Sequence, residues 1–275
     1  MANKNLDLEQ ILNKLNSNNA RYVAIFKLAG KVDLPPQLVE RAIEVFVNAG
    51  HDDEAADIAS RAGMPEKAKE IYQKAAEHWE KKGDFGFAAD YAIKAGMPSE
   101  KVKELCLKAV EVYERECVFD DAGDYALKAG MPEKAKELYL KAVEVYERKS
   151  LESEREGDST SILRAAYFAK SAGDLAAKAG MPEKAKEMYL KAINLYLKNH
   201  FYESERFDMA AGVALEAGMP EKAKEIYQEA ANLYERMGAF DDALDYATKA
   251  GMEEKVKVLR TLIDLINETS ADHTS

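Results

Sequence analysis

Apolar residues along this chain recur with the period of a helix, and the same stripe is written several times. Ala68, Tyr72, Ala75 and Trp79 are spaced four, three and four apart, which gathers them on one buried helical face. Ala135, Tyr139, Ala142 and Tyr146 repeat it, as do Ala185–Tyr189–Ala192–Tyr196 and Ala223–Tyr227–Ala230–Tyr234. Between stripes lies a shorter segment with Ala eight and four residues before a Gly, as in Ala55 and Ala59 before Gly63 or Ala243 and Ala247 before Gly251. Ala at i and i+4 leaves a smooth flank that a neighbouring helix can approach closely. Nothing reads as a strand. The pattern predicts helices in pairs.

The pairs are joined by a recurring word. AGMPEKAKE stands at 62–70, 129–137, 179–187 and 217–225, with looser copies at 95–104 (AGMPSEKVKE) and 250–257 (AGMEEKVK). Its glycines, Gly63, Gly96, Gly130, Gly180, Gly218 and Gly251, are separated by 33, 34, 50, 38 and 33 residues. A period in the thirties announces a stacked repeat. The Gly ends the shorter helix in a left-handed conformation, Pro follows as the first residue of the longer helix, and Glu suits its positive end. Paired acids at Asp52-Asp53, Asp120-Asp121 and Asp241-Asp242 are expected to cap the shorter helices.

Gly63 followed by Ala68, Tyr72 and Ala75, and Gly130 followed by Ala135, Tyr139 and Ala142, resemble the tetratricopeptide repeat. In the 95–104 copy Ser99 shifts the register and Cys106 takes the Tyr place. The resemblance covers about residues 50–265, with a degenerate unit before it (FKLAG at 26–30, then PPQLVERAIEVFV at 35–47). The longer helix exceeds the usual length, a departure that resembles the SNAP-like branch. The resemblance implies an all-α, right-handed superhelical α-solenoid of stacked antiparallel hairpins. It also implies that the shorter helices face a concave groove.

Two ladders of charge would then run along that groove. Six residues before each Gly stand Asp57, Asp90, Asp124, Asp174, Gly212 and Asp245, and two residues before it Arg61, Lys94, Lys128, Lys178, Glu216 and Lys249. Each acid and its basic partner are i and i+4, expected to pair within the helix for a few tenths of a kcal/mol. Alternatively Asp57, Arg61, Asp90, Lys94, Asp124, Lys128, Asp174, Lys178, Asp245 and Lys249 form the floor of a groove that grips a peptide or helical segment. Tetratricopeptide proteins that clamp chaperone tails use Lys, Arg and Asn, and Asp in the Asn-like place would repel the terminal carboxylate. The interval of 50 residues contains KSLESEREGDSTSILR (149–164), about eight extra residues on each helix of one hairpin, or a loop, with a ridge for a partner as the functional reading.

Charge and composition narrow the partners. The 275 residues are 47% apolar and 32% charged with a net charge of −11, which disfavours nucleic acid and anionic membrane because both need clustered cations. No apolar run reaches the roughly 18 residues of a membrane span. MANKNLDLEQILNKL lacks the apolar core of a signal peptide, so a cytoplasmic setting is expected. Cys106 and Cys117 are about 16 Å apart if they share a helix, too far for a bridge; Cys106 reads as core and Cys117 as the more reactive thiol. The histidines, His51, His78, His200 and His273, are scattered without metal-ligand spacing. None of the nucleotide, phosphate, nucleophile-elbow or zinc motifs is present.

The expected organisation is therefore N-terminal helices and a degenerate repeat over 1–49, and a repeat array over 50–252 with an extended hairpin at 149–164. A capping helix with a polar outer face follows at 253–268, and a disordered tail at 269–275. The expected function is a non-catalytic protein–protein interaction scaffold with no cofactor or metal. Its partner would be a peptide or helical segment, a basic one included. The alternatives are a SNAP-like adaptor for a membrane-trafficking or ATPase-coupled machine, and a regulatory module of a separate enzyme.

Overall fold

The computed structural model describes residues 36–199 and 205–272. The FKLAG segment of the degenerate unit and the tail after residue 272 lie outside the described residues. All thirteen elements among the described residues are α-helices. They are α1 (Pro36–Asn48), α2 (Asp52–Arg61), α3 (Pro65–Lys82), α4 (Phe85–Lys94), α5 (Ser99–Arg115) and α6 (Phe119–Lys128). Then come α7 (Pro132–Glu156), α8 (Ser159–Lys178), α9 (Pro182–Lys198), α10 (Glu205–Glu216), α11 (Pro220–Arg236), α12 (Phe240–Lys249) and α13 (Glu253–Asp272). Longer and shorter helices alternate except at α8, which at 20 residues exceeds the 17 of α9. Each helix packs on its neighbours in sequence, from α1 through α6 and again from α8 through α13. This is an all-α solenoid of helix hairpins. It divides into two compact units, residues 1–135 and 136–275.

The alanines spaced eight and four before each Gly explain the close stacking. Ala55, Ala59, Ala88, Ala92, Ala122 and Ala126 in the first unit have no exposed surface. Ala172, Ala176, Ala210, Ala214, Ala243 and Ala247 in the second are equally buried. With only a methyl group at these places, the short helices can lie flush against the long ones. At Gly173 even a methyl is too much: a Cβ there would stand 2.7 Å from the ring of Tyr189. The aromatic stripe fills the remaining space, with Tyr139 and Tyr234 buried and Cys106 fully enclosed at its Tyr-like place.

The repeated word is a turn with defined hydrogen bonds. Gly130 has φ +76°, and the Met131 N–H donates to the Ala126 carbonyl at 2.9 Å while the Gly130 N–H donates to Leu127 at 2.9 Å. These bonds satisfy the last carbonyls of α6, and Pro132 then opens α7. The turns from long to short helix use the same device at Gly50, Gly83 and Gly238, and Gly157 shares the positive φ. Between α5 and α6 the place belongs to Cys117, whose φ of +59° is the only positive value among described non-glycine residues.

The helix starts differ from the expected pattern. The paired acids Asp52-Asp53, Asp120-Asp121 and Asp241-Asp242 do not cap: the N-cap residues are His51, Val118 and Ala239, and the acids lie inside the first turn. There they face the positive helix end. Side-chain caps occur at Asp84 and Asp158 instead. Helix α1 packs against α2. The insertion is helical on both sides of Gly157, making α7 25 and α8 20 residues long against 17 and 12 for α9 and α10. The final helix continues through Asp272. Its outer face is not uniformly polar: Arg260 is exposed, and so are Val258, Leu265 and Ile266.

Candidate protein-interaction surface

The short helices carry the residues singled out in the sequence, and most of their charges are held between helices rather than within them. In the first unit, Asp57 pairs with Arg61 at 2.8 Å across one turn, as expected. Lys94 does not turn back to Asp90. It reaches Asp53 on α2 at 2.5 Å, while Asp90 accepts from Lys128 on α6 at 2.5 Å. The other oxygen of Asp90 accepts from the Tyr125 hydroxyl at 3.0 Å. The Lys128 ammonium also lies 4.2 Å from the centre of the Tyr125 ring. Tyr125 and Lys128 are i and i+3 on α6, so both reach one carboxylate on α4.

The second unit repeats this clasp. Asp208 on α10 accepts from Tyr246 at 3.2 Å and from Lys249 at 2.9 Å, and Lys249 also pairs with Asp245 at 2.9 Å. Asp174 accepts from Tyr189 at 2.8 Å and from Lys170 at 3.1 Å. The irregular members of the ladder also have a place, because Glu216 pairs with Lys170 at 2.8 Å. Asp124 is half-buried on α6, and the Lys178 ammonium lies 5.3 Å from the ring centre of Tyr139. The expected i, i+4 pairs thus hold for Asp57–Arg61 and Asp245–Lys249, and not for Asp90–Lys94. A lysine at the end of a short helix spans the gap to the neighbouring helix as easily as one turn of its own.

The electrostatics follow from these contacts. Burial and the adjacent Asp90 push the Tyr125 phenol far above its ordinary range, and burial with Asp208 does the same for Tyr246. Tyr91 is pushed up to about 12 by burial and then by Asp53. The bond to Glu216, followed by the one to Asp174, holds Lys170 well above its ordinary value against the effect of burial.

The long helices are stitched in a parallel way by the lysine of the repeated word. Lys134 pairs with Glu114 on α5 at 2.8 Å, Lys184 with Glu147 on α7 at 2.5 Å, and Lys255 with Glu235 on α11. Lys101, its counterpart in the shifted copy, pairs with Glu80 on α3 at 2.7 Å.

What the clasps leave open is apolar. Ile93 on α4 and Leu127 on α6 stand three residues before their glycines, 45% and 49% exposed, each next to a clasp lysine. In the second unit Leu215 takes this place on α10, 52% exposed. These residues, and the Tyr of Asp-Tyr-Ala-x-Lys at 91, 125 and 246, were not singled out in the sequence. Their signal is there, as recurrence at a fixed offset from the Gly.

The 149–164 hairpin is fixed by polar contacts. Buried Ser150 donates to the Ala165 carbonyl at 2.9 Å, Asn199 donates to the Ser159 carbonyl at 2.9 Å, and Arg164 reaches Glu156 at 2.5 Å. Among the described residues no group of His, Cys, Asp or Glu is placed to hold a metal ion, and no helix is long and apolar enough to cross a membrane.

No protein family matches the chain, and no curated protein does. It is similar in structure to BtubC (BKLC) from P. vanneervenii, with 16% identity over 82% of this chain and 92% of that one and a TM-score of 0.36. It is also similar to the apo form of RapI, at 12% identity over 90% and 69% of the two chains and a TM-score of 0.27. A circular tandem repeat protein with novel repeat topology and enhanced subunit contact surfaces gives 14%, 90% and 82%, with a TM-score of 0.24. At these scores none of them carries an argument about what this chain does.

Proposed function

We propose that the chain is a non-catalytic protein-interaction scaffold that holds a peptide or helical segment of a partner on its short helices. One observation carries this reading. Ile93 and Leu127 occupy equivalent places on successive short helices and expose apolar side chains, where a stacked repeat otherwise has no reason to keep them. The interhelical clasps supply the other requirement. They fix α2, α4 and α6 relative to one another before any partner arrives, so binding does not have to order the scaffold.

The ladder charges Asp57, Arg61, Asp90, Lys94, Asp124 and Lys128 in the first unit, and Asp174, Lys178, Asp245 and Lys249 in the second, then act as rim and framework. Reversing Asp90 would break the bonds to Tyr125 and Lys128, so lost binding would not separate framework from contact. Replacing Ile93 and Leu127 with Glu leaves every clasp in place and tests the contact itself.

A further inference from the structure

The last helix inverts the polarity of the long helices α3, α7, α9 and α11. Counting from the Gly of the turn, places +7, +11 and +14 are polar on these four helices and face solvent on α3 and α11. They are Glu70, Lys74 and Glu77 on α3, and Glu225, Glu229 and Asn232 on α11. On α13 the same places are Val258, Leu262 and Leu265, with Val258 61% and Leu265 54% exposed. Conversely, places +9 and +13, which carry Tyr72 and buried Ala76 on α3, are the exposed Arg260 and Asp264 on α13. The swap is what a helix needs if it has lost one neighbour and gained another. The stack side has become polar, and the solvent side has become an apolar seam spaced four and three.

The seam lies beside a cleft, about 290 Å³ in volume, whose walls include Phe240, Ile263 and Ile266 together with Asp241 and Asp242. From residue 261 to 268 α13 carries Asp264 and Glu268 and no base. The basic residues of α13 stand earlier in the helix, Lys255 taken by Glu235 and Lys257 by Glu254, with Arg260 on the polar flank. The apolar end is thus bordered by three carboxylates, Asp241, Asp242 and Glu268, while Asp264 shares the polar flank with Arg260. A second copy docked by the same face would bring those acids together, so charge disfavours a symmetric dimer.

We infer that the seam of α13 is a second docking site, and that its occupant is an amphipathic helix of another protein with an apolar stripe and a basic flank. Val258, Leu262 and Leu265 would meet the stripe, and Asp241, Asp242 and Glu268 would meet the basic residues. The site belongs to the second unit alone, so it stands or falls independently of the surface around Ile93 and Leu127.

The probe is a fluorescein-labelled helical peptide of about 18 residues, five turns, with Leu in a three-four stripe and Lys on its flanks, beside the same peptide with Glu for Lys. Anisotropy of the full chain should show binding of the Lys peptide and none of the Glu peptide. V258E/L265E, which restores an acid at exposed places that are polar in other repeats, should weaken binding roughly tenfold or more. The milder V258S/L265S should weaken it as well, and circular dichroism should be unchanged in both. Added acid raises any purely electrostatic attraction. Unchanged or tighter binding by V258E/L265E, equal binding of the Glu peptide, or a dimer of the wild-type chain that these substitutions dissociate would each overturn the inference.

Discussion

Lys170 donates to Glu216 across 2.8 Å, with the charges exchanged relative to the pair formed by Asp208 and Lys249 one hairpin later at 2.9 Å. Lys170 and Asp208 stand ten residues before their glycines, and Glu216 and Lys249 stand two before theirs. The fifth repeat, which breaks the ladder as a one-dimensional pattern, therefore keeps the interhelical bridge. An exchanged pair also disfavours a wrong neighbour, since α10 set against a short helix with the ordinary signs would oppose like charges. Lys170→Glu and Glu216→Lys should each lower stability by about 0.5–1 kcal/mol, the range of partly exposed pairs. The double variant should recover part of the loss in a denaturant titration, since the carboxylate at 170 then stands one turn from Asp174, whereas independent effects would simply add.

Tyr125 is the buried half of the clasp on Asp90. Tyr125→Phe removes only the hydroxyl and leaves an Asp90 oxygen short of a donor, so a loss of about 1 kcal/mol is expected. Alkaline pH acts on the same groups. Tyr91 and Tyr189 are both raised to about 12, chiefly by burial and then by Asp53 and Asp174 respectively, whereas an unfolded Tyr titrates near 10. The folded state retains these protons after the unfolded chain has begun to lose its own. Their contribution is whole below about pH 10 and disappears as pH rises through about 12. The melting temperature should fall across that window, together with the appearance of tyrosinate absorbance.

Cys117 holds a left-handed conformation at a turn whose counterparts at 50, 83, 157 and 238 use Gly. The strain of a side chain there is about 1 kcal/mol or more, so Cys117→Gly should raise the melting temperature by about 2–4 °C in a chain of this size. Gly130→Val tests the converse. No atom lies within 4 Å of the Cβ it would add, yet φ is +76°, so the expected cost of about 1–3 kcal/mol is backbone strain alone. A neutral Val there would mean that the turn relaxes.

The stack was legible in the sequence because its determinants are local. Gly at a fixed period, Ala eight and four before it and Pro two after it name the turn and both helices it joins, whatever else surrounds them. The pairing of the charges was not legible in the same way. Asp90 has Lys94 one turn away and Lys128 one repeat away, and periodicity cannot say which of the two lysines wins. The stacking distance set by the alanines decides it. Cys117 was hidden for a different reason: its place is defined by Gly83, 34 residues earlier, in a turn that lacks the conspicuous AGMPEK word. The reversal at α13 was half visible. Arg260 announced a polar face, while Val258 and Leu265 gain meaning only beside the solvent-facing Glu70 and Glu77 of α3.

The central claim, that the short-helix face of the first unit binds a protein partner, is tested most directly by quantitative affinity capture from native lysate. The immobilised wild-type chain is compared with I93E/L127E, with melting temperature and helicity measured on both. A small set of proteins depleted roughly tenfold or more from the variant, with the fold unchanged, is the predicted result. An identical capture profile for the two chains would contradict it.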